Sequence, residues 1–189
     1  TETLKEFESE VDRGAAQVAI GFTSQYQLTA GRDQLGGTRG ALHSHILLRE
    51  GNPKVFEPDR LEVLVHELGH FLGAAHSGDA DSVMRPVVAD GRARAKAYQI
   101  HFDSENAEII RLVGREISDR QVKRFQDMTP VTLAALYTQY ERIHRSFPED
   151  PAASRYVKLL NAARRQPTAL PQVRRNEVPR LPLPSRDQR

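Results

Sequence analysis

The chain has 189 residues, which is enough for one hydrophobic core and a small second unit. Its net charge of +2 gives no indication of a nucleic-acid partner, and no apolar run approaches the ~20 residues needed to cross a bilayer. The chain contains no cysteine, which excludes disulfide bonds and thiolate metal sites. It begins with Thr1 and shows no signal-peptide pattern, which is compatible with removal of a leader or upstream segment.

The amino-terminal region predicts short strands separated by loops. Apolar and polar residues alternate over 7–11, which favours a first strand, and the apolar run over 18–22 favours a second. Residues 23–40 are rich in Gly, Thr and Gln and predict a loop, after which 41–50 contains a third strand candidate. These segments together predict a small β-sheet.

A strongly periodic segment begins near Pro58 and predicts a helix. Proline is favoured in the first turn of a helix, and Asp59 with Glu62 has the spacing of a capping box. The apolar residues that follow recur at helical spacings: Leu61, Val63, Leu64, Val65, Leu68 and Phe71.

Three histidines and a glutamate lie at the end of this helix. His66 and His70 are four residues apart, so both imidazoles are expected on one face. Gly73 can adopt a left-handed conformation that ends the helix and turns His76 toward the same point. Three neutral imidazoles with an open fourth position have the geometry of catalytic zinc. Glu67 beside them can take a proton from a zinc-bound water and return it to a leaving amine.

Each histidine taken singly would be interpreted as an ordinary polar residue at the edge of a core. The combination of His, Glu, His, Gly and His in one register is rare by chance. The sequence therefore predicts one catalytic Zn²⁺ ion, held by His66, His70 and His76.

The stretch HELGHFLGAAHS, residues 66–77, resembles the long zinc motif of metzincin metallopeptidases and is most similar to that of the matrixins. Met84 follows His76 by eight positions, as in matrixins. The resemblance implies that Met84 forms the Met-turn beneath the zinc ligands, whereas without this spacing it would be interpreted as an ordinary core methionine. Residues 14–22 and 45–50 are similar, less specifically, to two matrixin strands.

This resemblance implies an α+β, metzincin-like zincin fold in which a small mixed β-sheet lies over the zinc-binding helix. It implies a zinc endopeptidase whose peptide or protein substrate pairs with an edge strand within 36–50. An extracellular or cell-envelope location is favoured by the resemblance alone. The sequence leaves the oligomeric state and the natural substrate open.

The sequence departs from the matrixin pattern at three places. A matrixin domain begins with a further strand and a helix, and neither is recognisable before the strand expected at 7–11. The residues that open a matrixin's structural zinc site are missing from 23–35, so a second zinc ion is not expected. Three residues could form a remnant of that site: Asp33, His43 and His45. Val88 stands where matrixins usually have Tyr, so a side-chain preference cannot be carried over.

The carboxyl-terminal part predicts helices. Asp103 or Ser104 can cap a helix, and Pro130 and Pro151 can each begin another. The last two helices resemble one unit of a tetratricopeptide-like repeat. A single copy is expected to pack against the preceding domain, with peptide binding as the alternative.

We therefore divide the chain into a metzincin-like metallopeptidase domain at 1–120, a helical extension at 121–166 and a tail at 167–189. The tail is rich in Pro and Arg and is expected to be disordered, with a basic docking peptide as the alternative. Two alternatives to an active peptidase remain. One is a zinc-stabilised peptide- or protein-binding module without turnover, and the other is a domain inactivated by its missing first strand. Glu67 argues against the binding module, because metal binding alone needs only the histidines.

Overall fold

The computed structural model describes residues 2–24, 35–50, 56–95 and 101–165. Its elements in chain order are α1 (Glu2–Glu10), β1 (Ala19–Thr23), β2 (Gly36–Gly37), β3 (His45–Arg49), α2 (Glu57–Phe71), α3 (Arg92–Ala95), α4 (Ser104–Arg120), α5 (Pro130–Ser146) and α6 (Pro151–Arg165). This confirms the expected α+β class. Within the described ranges, no helix is both long and apolar enough to span a membrane.

The three strands form a mixed sheet in the order β1-β3-β2. Strand β1 runs parallel to β3, with Ala19 opposite His45, and β2 runs antiparallel to β3 at the edge. Successive side chains of a strand point to opposite faces. Accordingly, Leu47 packs against helix α1, whereas Ile46 and Leu48 belong to the main core on the side of α2. The strands expected over 18–22 and within 41–50 are thereby confirmed.

The strand expected over 7–11 is wrong, because these residues belong largely to helix α1. Leu4, Phe7 and Val11 are spaced by three and four, and the first two pack against Leu47 of the sheet. Phe7 and Val11 satisfy a period of two and a helical spacing of four equally well, so the short window was ambiguous. Helix α1 therefore precedes β1, the first strand of the described sheet.

Two further expectations need correction. Gly36–Gly37 forms strand β2 inside the region predicted to be a loop; residues 25–34 of that region lie outside the described residues. Asp59 does not begin the capping box, since it is the third helical residue and its Oδ2 accepts a hydrogen bond from the Phe56 N–H at 3.3 Å. Glu62 instead accepts a hydrogen bond from the Ala89 N–H at 2.9 Å.

The helices predicted after residue 102 are confirmed. Asp103 caps α4 by accepting a hydrogen bond from the Asn106 N–H at 3.1 Å, and α5 and α6 begin at Pro130 and Pro151. The main hydrophobic core is continuous from the sheet through α2 and α4 to α5 and α6. Its buried members include Ile46, Val63, Phe71, Ile109, Val113, Leu136, Tyr140, Tyr156 and Leu160. The domain boundary at residue 120 stays a prediction, and the tail lies outside the described residues.

Candidate metal centre

Helix α2 ends at the turn that the sequence suggested. Gly73 has a φ of +90°, which glycine adopts without steric cost. The Gly73 N–H donates to the carbonyl of His70 at 3.0 Å, and the Ala74 N–H donates to that of Gly69 at 2.8 Å. This pair of bonds is a Schellman motif, which satisfies the last carbonyls of the helix. The chain then reverses and carries His76 back toward α2.

The three predicted histidines converge at one point. His66, His70 and His76 each offer one ring nitrogen, and these nitrogens all lie within 4.8 Å of one another. The Nε2 atoms of His66 and His70 are 3.0 Å apart. Among the described residues, these three histidines form the cluster of potential ligands that is close enough together to hold a metal ion.

The other ring nitrogen of each histidine has a hydrogen-bond acceptor. Nδ1 of His66 lies 2.8 Å from the carbonyl oxygen of Val83, and Nδ1 of His70 lies 2.9 Å from that of Ala74. A carbonyl oxygen can only accept, so Nδ1 carries the proton in both rings and Nε2 keeps its lone pair. Two lone pairs 3.0 Å apart repel each other unless a cation lies between them. The donor set therefore fits a metal ion that prefers imidazole nitrogen, as Zn²⁺ does.

The electrostatic environment keeps two of these rings neutral. Burial, reinforced by the neighbouring imidazoles, lowers the pKa of His66 to about 3 and that of His70 to about 4. Both rings are therefore uncharged at neutral pH, which is the form that coordinates a metal.

Glu67 lies next to the histidines, between α2 and the sheet edge. Its side chain is buried, and burial raises the pKa of Glu67 to about 8. A Cβ on Gly36 would stand 2.7 Å from Oε1 of Glu67, so strand β2 can approach the carboxyl group only because glycine occupies that position. In the metal-free site the protonated form of this carboxyl group is therefore favoured up to about neutral pH.

Met84 is fully buried in a turn beneath the histidine helix. Its carbonyl accepts a hydrogen bond from the Ser77 N–H at 2.9 Å, directly after His76. The preceding carbonyl, that of Val83, is the acceptor for His66. The carbonyl groups of Val83 and Met84 therefore bind His66 and the residue directly after His76, respectively.

A buried ion pair between Arg85 and Glu62 joins the segment after Met84 to α2, and Asp90 of the same segment also pairs with Arg85. Nη1 of Arg85 lies 2.7 Å from Oε1 of Glu62, and Nη2 lies 2.8 Å from Oδ1 of Asp90. Val88 lies within this segment and packs against the main core. Glu62 lies one helical turn before His66. Its ion pair with Arg85 therefore fixes the segment after Met84 next to the metal centre.

Several residues that support the site were not predicted from the sequence. Gly69 and Gly36 leave room for Met84 and Glu67, respectively. Asn106 binds both the N–H and the carbonyl of Ala75, at 3.0 and 2.9 Å. A glycine inside a helix is costly, and that cost was a usable signal at Gly69. No local pattern pointed to Asn106, because its partner lies 31 positions away.

The remnant second site suggested for Asp33, His43 and His45 stays untested, because the structure does not describe all three residues. Nε2 of His45 lies 2.8 Å from the carbonyl of Val11, and its Nδ1 lies 3.2 Å from Oγ of Ser44. Both nitrogens of His45 are thus engaged with protein groups. Asp33 lies outside the described residues.

A mixed α+β architecture with three converging imidazoles, two on a core helix and one just after it, is typical of metal-dependent hydrolases. The family model of the matrixins matches residues 3–113, which is more than half of the 189 residues, so the chain belongs to the matrixin family. This confirms the resemblance read from the histidine motif. Membership implies a zinc metallopeptidase in general, with peptide or protein substrates. No curated protein and no solved structure matches the chain.

Proposed function

We propose that this chain is a zinc-dependent endopeptidase, with His66, His70 and His76 as metal ligands and Glu67 as the proton-transferring residue. The observation that carries the proposal is the convergence of the three imidazoles, with the buried Glu67 following His66 on the same helix. A structural metal site is normally closed by four protein ligands, whereas three histidines leave one position for water and substrate.

In this proposal the chain's own residues have the following roles. A zinc ion bound at the three histidines would lower the pKa of water at its open position to about 7 and polarise a substrate carbonyl. Glu67 accepts the proton from the attacking water and later delivers it to the leaving amine. Val83 and Ala74 hold His66 and His70 in the Nδ1-protonated form, which directs their Nε2 lone pairs at the metal.

We expect the substrate backbone to bind along the edge of the sheet. In the part of the sheet that the structure describes, β2 is an edge strand and lies next to Glu67. An extended peptide can pair with such an edge through main-chain hydrogen bonds. Main-chain pairing selects the extended conformation and not particular side chains. Internal bonds of an unstructured protein are therefore the expected substrates.

A binding module without turnover is the alternative. The two are separated by measuring metal content together with digestion of an unstructured protein such as casein, with and without a chelator. A peptidase is expected to cleave, to stop when the metal is removed, and to recover when zinc is restored. One bound zinc without cleavage of any unstructured substrate would favour the binding module, and absence of stoichiometric metal would overturn both.

A further inference from the structure

We propose that Asp150, in the turn between α5 and α6, is a positioning residue for His76, so that the helical extension completes the metal centre. This inference rests on the proposed function, because it concerns the third ligand of the same site. Asp150 lies beyond residue 113, where the matrixin match ends. The family motif therefore says nothing about it.

Asp150 contacts His76 directly from the far side of the chain. Its Oδ1 atom lies 3.1 Å from Nδ1 of His76, across 74 positions of sequence. The side chain of Asp150 is 0% exposed, whereas that of His76 is 30% exposed. A fully buried carboxylate needs hydrogen-bond donors, and the His76 ring N–H is one of them.

The position of His76 explains why such a partner is needed. His66 and His70 are held by the helix itself, but His76 lies in the segment that follows Gly73 and has no helical backbone to orient it. Asn106 and Met84 anchor the main chain on either side, at Ala75 and Ser77. Neither contact determines the rotation of the imidazole. The Asp150 carboxylate does so by accepting the Nδ1 proton, which leaves Nε2 free for the metal.

Two other contacts attach the extension to the same region. The Tyr140 hydroxyl donates to the carbonyl of Gly73, the turn residue of α2, at 2.6 Å. The Tyr156 hydroxyl accepts from the N–H of Ala41 at 2.9 Å. The rings of Tyr140 and Tyr156 stack with their centroids 4.6 Å apart. Asp150 therefore lies between two helices, α5 and α6, that are themselves hydrogen-bonded to Gly73 and Ala41.

Asp150 has a second role that the test must separate from the first. Its Oδ2 atom accepts a hydrogen bond from the Ala153 N–H at 2.7 Å and so caps helix α6. Serine and asparagine are also good caps. Asp150→Ser keeps a cap but is too short to reach His76. Asp150→Asn keeps the cap and turns an amide N–H₂ toward His76, which favours the ring tautomer with the proton on Nε2.

The experiment measures zinc affinity of the full chain by competition with a chromogenic chelator, and the tautomer of His76 by ¹⁵N NMR of the metal-free protein. We expect Asp150→Ser and Asp150→Asn to weaken zinc binding by ~10–100-fold, the range typical for loss of a partner of a metal-ligating histidine. Their melting temperatures should stay close to that of the parent. In the parent His76 should carry its proton on Nδ1, and in Asp150→Asn on Nε2. Thr129→Ala, which removes the cap of α5 away from the site, should lower stability without changing zinc affinity.

Parental zinc affinity in both capped variants, with an unchanged His76 tautomer, would show that Asp150 is a helix cap and nothing more. If the parent itself binds no zinc, the proposed function fails. The tautomer measurement on the metal-free protein then still decides whether Asp150 orients His76. The two failures are thus distinguishable.

Discussion

The Sδ atom of Met84 lies so close to helix α2 that a Cβ built on Gly69 would stand 2.7 Å from it. The same Cβ would be 3.0 Å from the ring of Phe102. Inside a helix only proline is less favourable than glycine. A glycine between Glu67 and His70 therefore needs a structural reason. Close packing of the methionine turn against the ligand helix is that reason.

Gly69→Ala is accordingly expected to destabilise the protein by ~1–3 kcal/mol, the usual cost of overpacking a filled core. Gly114 supplies a matched control, because it also lies inside a helix but has nothing within 4 Å of a built Cβ. Gly114→Ala should stabilise by ~0.5–1 kcal/mol through helix propensity alone. Melting curves and zinc content of both variants provide the measurement. Equal stabilisation by the two alanines would refute the packing role of Gly69.

Removing one ligand should abolish metal binding. His70→Ala leaves two imidazoles, which rarely retain zinc at neutral pH. Elemental analysis after gel filtration should give one zinc per chain for the parent and none for this variant. His43→Ala removes an exposed histidine outside the cluster and should keep the full zinc content. Stoichiometric zinc in His70→Ala would contradict the three-histidine site.

Replacing the carboxyl group should separate binding from chemistry. Glu67→Gln keeps the size of the side chain but cannot accept a proton, so zinc should remain while peptide hydrolysis falls by at least ~10²-fold. Turnover of an internally quenched peptide and zinc content are measured on the same preparation. A Glu67→Gln protein that cleaves as fast as the parent would remove Glu67 from the mechanism.

The metal-free protein should lose stability in acid because of its buried histidines. Their pKa values are about 3 for His66 and about 4 for His70, against 6.5 for an ordinary histidine. As the pH falls below 6.5, the unfolded chain therefore binds more protons at these two sites, which favours unfolding. Glu67 acts in the opposite direction, because its folded pKa of about 8 lies above the ordinary 4.5 and the folded state holds the extra proton between these values.

Between pH 5 and 6 the unfolded state binds about one proton more than the folded state at these three groups. Their contribution should therefore lower the free energy of unfolding by ~1.4 kcal/mol for each unit by which the pH falls. Glu67→Gln removes the opposing group and should steepen the slope to ~2.8 kcal/mol per pH unit. Urea unfolding with a chelator present, at several pH values, measures both slopes. Identical slopes for the two proteins would mean that Glu67 is not protonated in the folded state.

Truncation tests where the folded unit ends. Ending the chain after Gln166 should leave melting temperature and zinc content unchanged, because the tail has no apolar periodicity. Ending it after Gln121 should unfold or aggregate the protein, since it removes Leu136, Tyr140 and Leu160 from the shared core. Each such side chain contributes ~1.5–3 kcal/mol when buried, against a typical total stability of ~5–15 kcal/mol. A folded, zinc-binding fragment 1–121 would show that the extension is dispensable.

Local periodicity and one turn residue were enough to predict the convergence of His66, His70 and His76 from the sequence alone. His66 and His70 share a face because an α-helix repeats every 3.6 residues, and Gly73 ends the helix because it adopts a positive φ at no cost. These features depend on neighbours within a few turns, so the order of residues is sufficient to predict them.

Tertiary structure decided the rest. The residues 7–11 fitted both a strand and a helix, and contact of Phe7 and Leu4 with Leu47 selects the helix. Gly36–Gly37 became a strand because β3 offers a partner, a choice that two glycines cannot make locally. Asp150 reaches His76 only through the packing of α5 and α6 on the core. Contacts across 74 positions leave no local pattern, because their geometry exists only once the chain between them has folded.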